Sequence, residues 1–159
     1  MPGKKDFNIN PHPIQLISLN IEELYIKVNK HPQTVDLASG SGEFNLRTGH
    51  SEYDEKDQII QVGIKLEIKG KEGQENPFDM TVAIAGVFKV DETNFAKKHI
   101  EDWANRNAPI ILYPYLREQA YALTIRCGFP GIILPLLTVP TFKIEAPKKV
   151  PKAKVKLEK

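Results

Sequence analysis

The residues able to do chemistry are few and scattered. His12, His31, His50 and His99 fall on an arm, a loop, a strand and a helix, without the His-x-x-Glu-His or similar spacing that gathers ligands around a metal. His50 beside Glu52 reads as a surface pair at a strand end. Cys127 stands at a helix C-terminus, the wrong end of the dipole to stabilise a thiolate nucleophile. Ser39-Gly40-Ser41-Gly42 lacks the Gly-Lys-Ser/Thr of a phosphate loop, and a strand follows it. Arg117 and Glu118 read as structural ion-pair residues. The chain is therefore read as a non-enzyme without metal or cofactor. What it does carry is apolar surface, which can hold another chain without making or breaking bonds.

That surface concentrates in residues 107–139, NAPIILYPYLREQAYALTIRCGFPGIILPLLTV. From Ile110 to Ile125 the apolar residues run around most of a helical cylinder, so such a helix needs cover on more than one side. A sheet from the same chain covers one; a second subunit or an apolar ligand would cover the other. Pro109 suits the first helical turn. Pro114 lacks the amide an interior turn needs, which predicts a kink or an effective start there. Cys127-Gly128 ends the helix, Phe129-Pro130-Gly131 turns the chain, and Ile132 to Pro140 is extended. A preceding helix, capped by Asp91 or Thr93, carries Phe95, His99, Ile100 and a core Trp103 at helical spacing and ends before Asn107.

Upstream the period is two. Ile17, Leu19 and Ile21 lie on odd positions and Leu24, Ile26 and Val28 on even ones, so a β-bulge at Glu22–Glu23 would keep both halves facing the core. Lys30 to Gly42 is a crossover loop. Phe44, Leu46 and Thr48 mark a second strand. Ile60, Val62, Ile64, Leu66 and Ile68 alternate with polar residues in a third, half-solvated strand. A polar turn over 70–77 leads to a fourth, with Phe78, Met80, Val82, Ile84, Gly86 and Phe88 inward and Thr81, Ala83, Ala85 and Val87 outward. The fold class is α+β: a four-stranded antiparallel sheet covered on one face by two C-terminal helices. Ala83, Ala85 and Val87 leave the opposite sheet face apolar enough to meet a partner.

The chain has 159 residues, 41% of them hydrophobic, enough for one domain with its own core. The organisation is an arm at 1–13, a domain at 14–142 and a tail at 143–159. The tail holds seven lysines and two glutamates for a net charge of +5, against −3 for the rest. It reads as a disordered, solubilising end; contact with nucleic acid is the weaker alternative. No apolar run approaches a membrane span and no signal-peptide core follows Lys4 and Lys5, so the expected location is cytoplasmic, in keeping with a single cysteine.

YPYLRE, Tyr113 to Glu118, within the Pro-x-x-Leu-aromatic-Pro-Tyr-x-Arg-Glu pattern, resembles the signature helix of the SecB protein-export chaperones. Phe129-Pro130 and an apolar, proline-bearing segment follow it as they do in that family. FNLRT (Phe44 to Thr48) and AGVF (Ala85 to Phe88) are similar to its strands, and the likeness spans roughly 14–139. The resemblance implies an ATP-independent cytoplasmic holdase, a tetramer built as a dimer of dimers, that keeps unfolded preproteins export-competent in hydrophobic grooves. It assigns client contacts to Phe44, Leu46, Tyr121, Leu123, Ile132 and Leu134, and contact with the SecA motor to Glu23. Thr81 and Lys27 stand where the family's motor-docking face is acidic, which keeps a second reading open: a SecB-like protein dedicated to one partner, such as an antitoxin, and not coupled to SecA.

Overall fold

A computed structural model describes residues 9–34, 43–73 and 76–138. Most of the crossover loop, the first eight residues and the lysine-rich tail lie outside the described residues. The strands are β1 (Ile14–Val28), β2 (Glu43–His50), β3 (Ile59–Lys69) and β4 (Phe78–Val90), followed by helices α1 (Ile100–Arg106) and α2 (Ala108–Arg126). All pairings are antiparallel and the sheet order is β1-β4-β3-β2. The α+β expectation stands.

The alternation in β3 has its expected result, with Ile60, Val62, Ile64, Leu66 and Ile68 all buried. In β4 the residues on both faces are buried: on the face away from the helices Thr81 lies between Tyr25 and Glu67 and Ala83 between Glu23 and Lys65, side chains long enough to shield these small residues, and Ala85 is buried as well. β1 departs from the parity reading. Its register shifts twice, once between Ile21 and Glu23 as expected and once between Leu16 and Ser18. Ile17 is the extra residue of the added bulge and is exposed, not inward as the odd-position reading had it. With both bulges Ile14, Leu16, Leu19, Ile21, Leu24, Ile26 and Val28 all lie opposite inward-facing residues of β4.

The helices lie on that inner face, α2 over β4 and β3 and reaching β1, α1 over β2. α1 is shorter than its apolar spacing implied. Asp91 caps a local turn, its Oδ1 accepting from the Thr93 amide at 3.0 Å, and a 3-10 turn at Lys97–His99 intervenes before α1 begins at Ile100. Trp103 is buried and meets Phe88 edge-on, ring centroids 5.0 Å apart. His12 stacks on the same indole, and its Nδ1 accepts from the Ile14 amide at 3.0 Å, so the end of the arm is tied to the core. α2 runs through Pro114 without restarting there. It ends in a Schellman motif: Gly128, at φ 85°, donates to the Ile125 carbonyl and Phe129 to that of Thr124. α2 packs directly on strand backbone at Gly86, where a Cβ would lie 2.6 Å from Leu112 Cδ2 and 2.8 Å from Leu16 Cδ1.

Candidate functional site

Among the described residues three apolar surfaces have no cover, each held by a different element. The first is the outer edge of β2, which no described strand pairs. The Ser51 amide donates to the Gln61 carbonyl at 2.9 Å, continuing the β2–β3 register, so the hydrogen-bonded pairs fall on odd-numbered residues of β2. Phe44, Leu46, Thr48 and His50 therefore turn their amides and carbonyls to the edge. The same four lie opposite Ile68, Leu66, Ile64 and Val62, which places their side chains on the helix-covered face. α1 covers only the His50 end, so Phe44 stays exposed and Leu46 half-buried.

The second surface is the back of α2. Its buried residues Leu112, Tyr113, Leu116, Ala120 and Thr124 face the sheet, whereas Ile111, Tyr115 and Ile125, roughly half a turn away at 100° per residue, are exposed. Among the described residues the chain has no element of its own to cover that stripe. The β1 residues Ile21, Leu24 and Val28 are also exposed, although they share the core-facing side.

The third is the segment after α2. Phe129 is buried against Phe78, ring centroids 5.1 Å apart. The Ile132 amide donates to Thr124 Oγ1 at 3.0 Å, and the Tyr113 hydroxyl donates to the Pro135 carbonyl at 2.6 Å. Burial raises the Tyr113 phenol above its ordinary pKa, against the opposing pull of the Arg117 guanidinium. Of the assigned client contacts, Ile132 is half-buried and Leu134 only 3% exposed, so Leu134 belongs to the core; its outward neighbours are Ile133 (77%) and Leu136 (82%). Leu123 is half-buried against the same core. Tyr121 is exposed at its rim, its ring lying where a Gly131 Cβ would be, 2.0 Å from Cε2. The sequence did not single out Thr124 and Tyr113 as the groups holding this segment; Thr124 read as an ordinary helix residue and Tyr113 as the start of the YPYLRE motif.

The groups that could have done chemistry stay apart. His50 Nδ1 lies 2.8 Å from the Ser51 carbonyl and does not pair with Glu52. Arg117 sits over the Tyr113 ring at 5.9 Å, and neither it nor Glu118 forms an ion pair among the described residues, correcting the ion-pair reading. On the sheet face away from the helices, Glu23 Oε2 accepts from Lys65 Nζ at 2.9 Å, and this bond holds the Lys65 ammonium pKa above its ordinary value. Thr81 is buried between Tyr25 and Glu67 in the ladder.

A family model described as SecB, preprotein translocase subunit SecB, matches residues 10–138. The chain is 26% identical over 122 residues to a protein-export protein SecB of Chromobacterium violaceum, covering 74% of this chain and 79% of that one. It is 25% identical over 120 residues to one from Neisseria meningitidis, covering 72% and 80%. Among solved structures it matches the SecB-like chaperone Rv1957 of Mycobacterium tuberculosis, in complex with a ChAD peptide from the Rv1956 HigA1 antitoxin. That likeness has a TM-score of 0.65 at 19% identity, covers 81% of this chain and 94% of that one, and is a likeness of fold.

Proposed function

Because the chain belongs to the SecB family, we propose that it is an ATP-independent molecular chaperone, a cytoplasmic holdase that keeps unfolded polypeptides from folding or aggregating. The observation that carries this is the β2 edge, where Phe44 and Leu46 offer apolar side chains together with backbone groups that no described strand pairs. An extended guest added there makes main-chain hydrogen bonds whatever its sequence, and its alternate side chains enlarge the apolar row beside Phe44. Backbone pairing supplies affinity without selectivity, and burial of apolar area, about 25 cal/mol per Å², is non-directional. Many unrelated unfolded chains satisfy both demands.

A held guest loses chain entropy, so one short edge grips weakly. Several copies joined in one particle multiply the grip, and a tetramer built as a dimer of dimers meets that need. The exposed stripe Ile111, Tyr115 and Ile125 and the β1 row Ile21, Leu24 and Val28 are the surfaces such an assembly would cover. The direct test is nucleotide-free suppression of aggregation of a denatured model protein. A folded, oligomeric sample that leaves aggregation unchanged overturns the reading.

Coupling to the SecA motor is the less supported part of the family pattern here, because Glu23 is engaged by Lys65 and Thr81 is buried. Those two observations favour a second reading: a chaperone dedicated to one partner. The antitoxin peptide bound to the Mycobacterium tuberculosis SecB-like chaperone provides a precedent.

A further inference from the structure

The β2 edge needs cover when no guest is bound. Phe44, Leu46, Thr48 and His50 turn their amides and carbonyls to a side that no described strand pairs, and the Phe44 ring stays exposed beside them. An unpaired apolar edge is a template for edge-to-edge aggregation, which chains prevent by laying one of their own segments over it or by placing lysines there. The sequence beyond the described residues holds a segment of that kind. From Lys152 to Leu157 it alternates strictly, Ala153, Val155 and Leu157 against Lys152, Lys154 and Lys156, and it contains no proline, whereas Pro140, Pro147 and Pro151 punctuate the stretch before it.

We propose that residues 152–158 of the same chain add to β2 as a fifth, antiparallel strand and compete with guests for its edge. The lengths match, seven residues against the seven from Phe44 to His50. Antiparallel pairing, the rule in this sheet, sets Ala153, Val155 and Leu157 on the helix-covered side with Phe44, Leu46 and Thr48, and turns their amides to the β2 groups that face the edge. The lysines then stand on the opposite side and leave an outer edge that resists further growth. Arg47, on that side of β2, is engaged by Glu67 at 3.5 Å, which blunts its repulsion of them. Reach is ample: residues 139–151 span about 40 Å when extended, and a four-stranded sheet is about 15 Å across. Charge favours the contact, because the tail's net +5 meets −3 on the rest of the chain. A strand tethered to its own sheet binds at an effective concentration near the millimolar range, so it occupies a short edge yet yields to a guest that grips several edges at once. The contact itself stands apart from the holdase reading; its effect on guests rests on that reading and deepens it.

The test compares the full chain with a form ending at Pro151, by hydrogen exchange and by anisotropy of a reduced, alkylated and fluorescently labelled model polypeptide. Exchange at the Phe44 and Leu46 amides quickens roughly threefold to tenfold on truncation and slows again when a peptide of residues 152–159 is added at millimolar concentration. The truncated form binds the probe roughly threefold to tenfold more tightly, at unchanged particle mass. In the full chain, Val155→Pro with Leu157→Pro removes ladder donors without altering charge and reproduces both effects. Phe44 and Leu46 amides that exchange equally in the two forms overturn the proposal, as does equal affinity for the probe. A smaller particle on truncation overturns it too, by making the tail a strut between copies. Should neither form bind the probe while the amides still differ, the holdase reading fails and the fifth strand stands.

Discussion

Replacing Gly86 by alanine probes the seam between α2 and the sheet on which every uncovered surface depends. The added Cβ would lie 2.6 Å from Leu112 Cδ2, 2.8 Å from Leu16 Cδ1 and 3.2 Å from Phe88 Cε2. Leu112 and Phe88 are wholly buried, so neither tip can swing into solvent; α2 must lift or the leucines must leave their rotamers. Overpacking of this kind costs about 1–3 kcal/mol, against which alanine returns about 0.4–1 kcal/mol by restricting the unfolded chain. The net is a loss of about 1–2 kcal/mol. Gly63→Ala is the matched control, because its Cβ would meet only the Ile84 carbonyl, at 3.8 Å. That variant should be neutral or gain up to about 1 kcal/mol. Urea unfolding of both variants at one protein concentration measures the pair. Equal stabilities, or a more stable Gly86→Ala, would refute the packing at this seam.

Trp103→Ala should cost about 3–5 kcal/mol in urea unfolding, since the ring is buried against Phe88 and also holds His12. Light scattering should give a particle of four chains, and Tyr115→Asp should reduce its mass by placing a charge on the exposed stripe of α2. The Asp91 carboxyl is held below its ordinary pKa of 3.8, first by the Thr93 hydroxyl and then by Asn94. The bond therefore favours the folded state above about pH 4, and its contribution disappears as pH falls through the lowered value. Asp91→Ala should flatten that acid limb of stability, as a pH series of melting temperatures would show.

The parts of this fold legible in the sequence are those where one physical rule acts alone. β3 alternates strictly and folds as read, and the parity change at Glu22 forces a bulge. The bulge at Ile17 was hidden because the extra residue is itself apolar and mimics continued alternation. Asp91 was mistaken for a helix cap because the local turn it closes uses the same side-chain chemistry. In the candidate site, Phe44 and Leu46 could be placed on β2, but the freedom of their backbone groups depends on sheet order. Leu134 was misread because apolar character alone does not fix facing in a segment without regular structure. The frame comes from Thr124 and Tyr113, eight and twenty-two residues from the groups they bind.

The central claim is that apolar surface, offered without regard to sequence, holds many unfolded chains. Competition between two unrelated unfolded polypeptides for the full-length protein, without nucleotide, tests it most directly. Mutual displacement, weakened for both by Phe44→Ser, is the predicted result. Binding of one chain that the other cannot displace would contradict the account and establish a dedicated partner.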